Sequence, residues 1–153
     1  MNEKNTKKLF DKYSSLFKNK EDITHSLMCF GFECDDGWYK MIYLLLQDLQ
    51  ELKLNDNFYI TQIKQKFGGL RVYTSYTNDD IDLIIQGYGD LSYKICECCG
   101  EEGVLRKDLS WIQVLCDTCM NKTIKERELR LKKWALEHTK SKLRKEKKVS
   151  NKK

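Results

Sequence analysis

Cys96 and Cys99, then Cys116 and Cys119, form two C-x2-C pairs separated by the sixteen residues 100–115. That interval is the one expected of a four-ligand zinc site. Thiolates are soft ligands, and four of them complete a tetrahedron around Zn²⁺ without leaving a position for substrate. The expected chemistry is one structural zinc ion, a staple rather than a reaction centre. Cys98 is a surplus thiol inside the first pair. His25, Cys29 and Cys34 make only a weak second ligand group, because three donors on an apolar connector do not close a coordination shell.

Two other groups of residues could bind ligands. Lys66, Gly68, Gly69 and Arg71 lie in Lys-Phe-Gly-Gly-Leu-Arg, where adjacent glycines expose amides and the flanking cations suit a phosphate, so a nucleotide is one candidate ligand. As a plain alternative, the same glycines make a hairpin turn. Tyr59, Tyr73 and Tyr76 offer faces on which bases could stack. Near the C-terminus Arg127, Arg130, Lys132, Lys133, Lys140 and Arg144 suit contact with a phosphate backbone, which gives affinity without sequence selection. Leu129, Leu136 and Leu143 recur every seven residues and suggest a face for a host protein or a second copy of the chain.

Catalysis has little support. A metal-dependent hydrolase needs histidines beside the metal, and His25 and His138 are the only two in the sequence. A cysteine nucleophile would need a partnered base, and no local signature supplies one.

The formal net charge of +5 hides a division. Residues 120–153 carry 14 Lys+Arg against 4 Asp+Glu, whereas residues 1–119 carry 14 against 19. An acidic body with a basic tail favours an anionic partner at the tail, nucleic acid foremost, although a solvated helix is the bland alternative. The 153 residues, 41% of them hydrophobic, allow a modest core. No apolar run is long enough to span a bilayer and no secretory leader is apparent, so the expectation is a cytoplasmic protein without a membrane partner. Seven cysteines in a reducing compartment then point to metal, not to a disulfide framework.

The elements that must position these groups follow from periodicity. Residues 6–18 predict a short amphipathic helix, and residues 25–34 an apolar connector or short strand. Asp36 is the expected N-cap of a core helix over residues 38–52. Residues 58–66 and 70–77 predict a hairpin about Phe67-Gly68-Gly69, with Tyr59, Thr61, Ile63, Leu70, Val72 and Thr74 on one face. Asn78-Asp79-Asp80 opens a helix running towards Ile95 and weakened by Gly87 and Gly89. Residues 103–106 and 111–115 predict a small hairpin between the cysteine pairs. A helix follows directly after Cys119, with a stripe of Met120, Ile124, Leu131, Trp134, Ala135 and His138 opposite the three leucines. One stripe is expected to pack within the protein and the other to await a partner.

The expected fold is α+β, with helices packed on a β-hairpin, a four-cysteine zinc module and a long basic C-terminal helix. The module is a treble clef or a zinc ribbon, the treble clef being favoured because no strand follows Cys119. Residues 1–95 form the α+β body and residues 96–121 the zinc module continuous with it. The basic helix occupies residues 120–153, its end lacking apolar anchors and expected to order only on binding.

Met28-Cys29-Phe30-Gly31-Phe32-Glu33-Cys34, Asp36-Gly37-Trp38-Tyr39, Lys66-Phe67-Gly68-Gly69-Leu70-Arg71 and the two cysteine pairs, in this order, resemble a family of small proteins encoded by phages and prophages. The resemblance covers residues 13–119. Family members look like Glu-Cys-Gly-Asp-Gly-Trp where Asp35 here replaces the first glycine. The resemblance implies an accessory role in a host cell without specifying a mechanism. The function expected first is therefore a non-catalytic, zinc-binding phage-type protein that binds nucleic acid. An anti-defence protein that captures a nucleotide signal or blocks a host protein comes second, and a metal-dependent hydrolase third.

Overall fold

The computed structural model describes the backbone of residues 1–150 and the side chains of residues 1–139. Four α-helices and two small antiparallel hairpins make it α+β, and the chain divides into two compact units, Met1–Asp117 and Thr118–Lys153.

Helix α1 spans Glu3–Lys12, capped by Asn2, whose side chain accepts from the Asn5 N–H at 2.8 Å. It is shorter than its periodicity suggests. After Tyr13 the chain tightens into a 3-10 turn, Ser14–Phe17, which turns Leu16 and Phe17 into the core and sets Phe17 edge-on to Phe10 at 5.0 Å. Residues 25–34 are mainly a connector, with a 3-10 turn at Met28–Phe30 and a single parallel bridge between Glu33 and Lys64.

Helix α2, Tyr39–Glu51, buries Met41, Ile42, Leu45, Leu46 and Leu49 as expected. Asp36 does not cap it. A 3-10 turn, Asp36–Trp38, comes first, and the Asp36 carboxylate instead accepts from the N–H and Nδ2 of Asn2 and from Nδ2 of Asn5. Burial opposes its ionisation, but these bonds outweigh burial and hold its pKa below the ordinary value. The residue therefore ties the start of α1 to the start of α2.

Strands β1, Ile60–Lys66, and β2, Gly69–Thr74, pair antiparallel with Lys66 opposite Gly69. The turn is the two residues Phe67 and Gly68, both at positive φ, so Gly69 belongs to the strand. A bulge between Ile60 and Gln62 shifts the pleat by one residue. Ile60 accordingly replaces Tyr59 and Thr61 on the inner face beside Ile63, Gln65 and Leu70, while Tyr59, Thr61, Val72 and Thr74 are only partly buried.

Helix α3, Asp79–Ser92, begins as predicted, with the Asn78 side chain accepting from the Ile81 N–H at 2.9 Å. It stops short of Ile95. Its Tyr88 hydroxyl donates to Asp48 Oδ2 at 2.7 Å and joins it to α2, while Ser92 Oγ accepts from the Leu70 N–H and joins it to β2. Strands β3, Val104–Arg106, and β4, Gln113–Leu115, form the second hairpin.

Helix α4 covers Asp117–Ser150, so it begins before Cys119 rather than after it. Its two apolar stripes do not divide into a packed and an unpacked one. Ile124, Leu131 and Trp134 are exposed, as are Leu129 and Leu136. Within the helix His138 stacks on Trp134 with ring centroids 4.0 Å apart. The side chains of Lys140, Leu143 and Arg144, and the expected disorder at the end of the chain, lie outside the described residues.

Candidate metal centre

The first cysteine pair sits on a tight turn entered from the bridge between Ile95 and Glu102. The Cys96 N–H donates to the Glu101 carbonyl at 2.7 Å, and the Gly100 N–H returns to the Cys96 carbonyl at 2.9 Å. Gly100 adopts φ +84°, a conformation that a side chain resists, and this lets the chain reverse immediately after Cys99. The β3–β4 hairpin then brings Cys116 back. Arg106 steadies its base, with Nε donating to the Leu115 carbonyl at 3.2 Å and Nη2 bonded to Asp117 at 2.5 Å.

The ligand atoms of Cys96, Cys99, Cys116 and Cys119 all lie within 4.8 Å of one another. Cys99 and Cys116 Sγ are 3.7 Å apart. A tetrahedron with metal–sulfur bonds of about 2.3 Å has sulfur–sulfur edges of about 3.8 Å, whereas a disulfide bond is about 2.05 Å. The geometry thus fits a metal ion held by four thiolates, and zinc is consistent with that donor set. Among the described residues this is the one such grouping of His, Cys, Asp and Glu. His25, Cys29 and Cys34 do not join into another; His25 Nδ1 bonds Asp22 at 2.8 Å, and Cys34 is buried in the core.

Cys98 takes a different role. It is exposed, and its Sγ donates to Asp35 Oδ2 at 3.5 Å. Asp35 itself is extended, with φ −81° and ψ 170°, a conformation open to any residue.

Sequence reasoning missed the support beneath this turn. The Gly37 N–H donates to the Glu97 carbonyl at 2.7 Å, and a Cβ on Gly37 would stand 2.5 Å from both the Glu97 oxygen and the Gly100 nitrogen. Trp38 is fully buried and its Nε1–H donates to the Ile95 carbonyl at 3.0 Å. Glu97 is buried too. Its Oε1 accepts from the Asp35 N–H at 3.2 Å and its Oε2 from Gln113 Nε2 at 3.3 Å. Burial and then the Asp35 charge raise its pKa. The block Asp35-Asp36-Gly37-Trp38 is thus the floor on which the cysteine turn rests; the glycine beside a tryptophan is the only local sign of it.

The other sequence candidates are placed as follows. Gly68 packs under the Leu105 side chain and Gly69 against the Tyr93 ring. The Arg71 guanidinium donates to the Leu70 carbonyl at 2.8 Å and to the Tyr93 hydroxyl at 3.2 Å, while Lys66 is exposed. The two glycines therefore face side chains of the same protein. Tyr73 is exposed, with Lys64 Nζ 5.3 Å from its ring centroid, and Tyr59 and Tyr76 are half-buried. On α4, Arg127, Arg130, Lys132 and Lys133 are exposed along with Leu129 and Leu136. No helix among the described residues is long and apolar enough to cross a membrane.

Comparison of the chain with protein-family models, with curated proteins and with solved structures finds no match.

Proposed function

We propose that this is a non-catalytic, zinc-binding accessory protein of the kind phages and prophages encode, and that it binds nucleic acid through α4. The observation that carries the reading is the charge division: 14 Lys+Arg against 4 Asp+Glu in residues 120–153, beside an acidic remainder. Arg127, Arg130, Lys132 and Lys133 stand exposed on α4, as phosphate contact requires.

Zinc, in this reading, holds the segment before that helix. Its two strands bury only Val114 and Leu115, at about 1.5–3 kcal/mol each. A structural zinc contributes about 10–16 kcal/mol in small finger peptides, so the metal outweighs the local core. A turn bearing two cysteines, a hairpin, and a helix with Cys119 in its first turn favour a treble clef over a ribbon. Four thiolates leave no open coordination position, which favours a mounting over a hydrolase.

Affinity for duplex oligonucleotides, measured across a salt series, tests the proposal. It should fall steeply with salt and vanish when residues 125–153 are removed; binding that survives the truncation refutes it. A second reading, docking to a host protein or to a second copy, is favoured by the exposure of Leu129 and Leu136 seven residues apart. Sedimentation of the isolated protein distinguishes self-association from the nucleic-acid reading.

A further inference from the structure

We propose that the groove between the β1–β2 turn and the β3–β4 loop holds unpaired bases of a nucleic-acid strand. The proposal rests on the nucleic-acid reading and adds a substrate class, single strands, and a second contact surface on the acidic body.

The groove has a volume of about 480 Å³ and is lined by Lys64, Gln65, Lys66, Phe67, Trp111 and their loop neighbours. Phe67 is 67% exposed and Trp111 63% exposed, so two large aromatic side chains stand in water on facing segments. Burying either would be favourable, and neither belongs to the hydrophobic core. Phe67 also occupies a turn position at φ +53°, where Gly, Asn or Asp is the usual residue. A bulky side chain is disfavoured at that angle. The backbone therefore bears a local strain whose result is an aromatic ring presented to solvent.

Charge selects the class of occupant. Among the described residues, Lys64 and Lys66 are the charged ones of the lining, and no carboxylate lines it. Lys66 Nζ lies over the Phe67 ring, 5.7 Å from its centroid, so a cation accompanies one aromatic face. Below them Gln65 is only 7% exposed; its Nε2 donates to the Ile112 carbonyl at 2.5 Å, and its buried Oε1 has no hydrogen-bond partner. Flat apolar faces and flanking cations match a base and its phosphate. In a duplex the base faces are covered by their neighbours, so only unpaired bases can stack here.

The test uses the full-length, metal-loaded protein with labelled oligothymidylate, oligoadenylate and a duplex of equal length. Phe67→Asn keeps a residue that tolerates positive φ, and Trp111→Ala alters an exposed loop, so both variants should fold. Each should weaken single-strand binding by about tenfold or more and leave duplex binding unchanged. In a Trp134→Phe background, which removes the exposed tryptophan of α4, oligothymidylate should quench tryptophan fluorescence, and adding Trp111→Phe should leave binding normal without that quench. Unchanged single-strand affinity in the Phe67→Asn, Trp111→Ala double variant, or a quench that persists when Trp111→Phe is added to the Trp134→Phe background, overturns the groove. If salt-dependent duplex binding through α4 remains in that case, the proposed function stands without it. Absence of binding to every oligonucleotide overturns both and leaves a protein as the occupant.

Discussion

The main-chain N–H of Gly37 donates to the carbonyl of Glu97 at 2.7 Å, joining the entrance of α2 to the turn that carries Cys96 and Cys99. Trp38 continues the join through its bond to the Ile95 carbonyl. The candidate metal centre is therefore seated on the hydrophobic core by two adjacent residues.

Metal content should follow the four clustered thiols and ignore the fifth. Native mass spectrometry should find one zinc ion per chain, lost in Cys99→Ser and Cys116→Ser but retained in Cys98→Ala. Zinc loss in Cys98→Ala would show that the Asp35 contact does not describe its role. Chelation should also shift the fluorescence of Trp38, since its indole bonds to the residue preceding Cys96.

Two glycine-to-alanine changes should have opposite signs. At Gly37 a methyl group would press into the Glu97 and Gly100 backbone, and overpacking of this kind costs about 1–3 kcal/mol. Gly87 lies inside α3 with nothing within 4 Å of an added Cβ, and alanine there should stabilise by about 0.5–1 kcal/mol. Urea unfolding of both variants at saturating zinc measures the contrast.

Cys34 and Cys29 should differ in reactivity although five positions apart in a shared motif. Burial pushes the Cys34 pKa up to about 12, while Cys29 is exposed. Thiolate is the reactive form. Iodoacetamide at mildly alkaline pH should modify Cys29 in the native protein and reach Cys34 only after unfolding, as peptide mapping would reveal.

Tyr88 predicts an alkaline limit. Burial, then its hydrogen bond to Asp48 and that carboxylate's charge, raise its pKa from 10.0 to about 12. Between those values the folded state holds a proton that the unfolded state releases, so this contribution is present below pH 10 and lost as pH rises towards 12. Denaturation midpoints of wild type and Tyr88→Phe should converge through that window; a constant difference would exclude the linkage.

What the sequence reveals is local. Asn78 caps α3 within its own first turn, and Cys96 to Cys119 announce their grouping by spacing alone. Asp36 reads as a cap for the next helix because its partners, Asn2 and Asn5, lie more than thirty residues upstream. Tyr59 and Thr61 read as the inner face of β1 because one bulge inverts a pleat, and no residue type marks it. The separate stripes on α4 are legible, but which of them meets a surface is not a property of helical period. Phe67 and Trp111 share a groove only because two hairpins do, so neither motif alone could indicate it.

Because Gly37 is clamped between the carbonyl it bonds and the reversal at Gly100, its amide should exchange with deuterium far more slowly than a short 3-10 turn ordinarily allows. With metal bound, that exchange should require the opening that also exposes Trp38 and proceed at the core's rate. Stripped of metal, the same amide should exchange as a loop, giving a one-atom gauge of how far the fold depends on its four thiols.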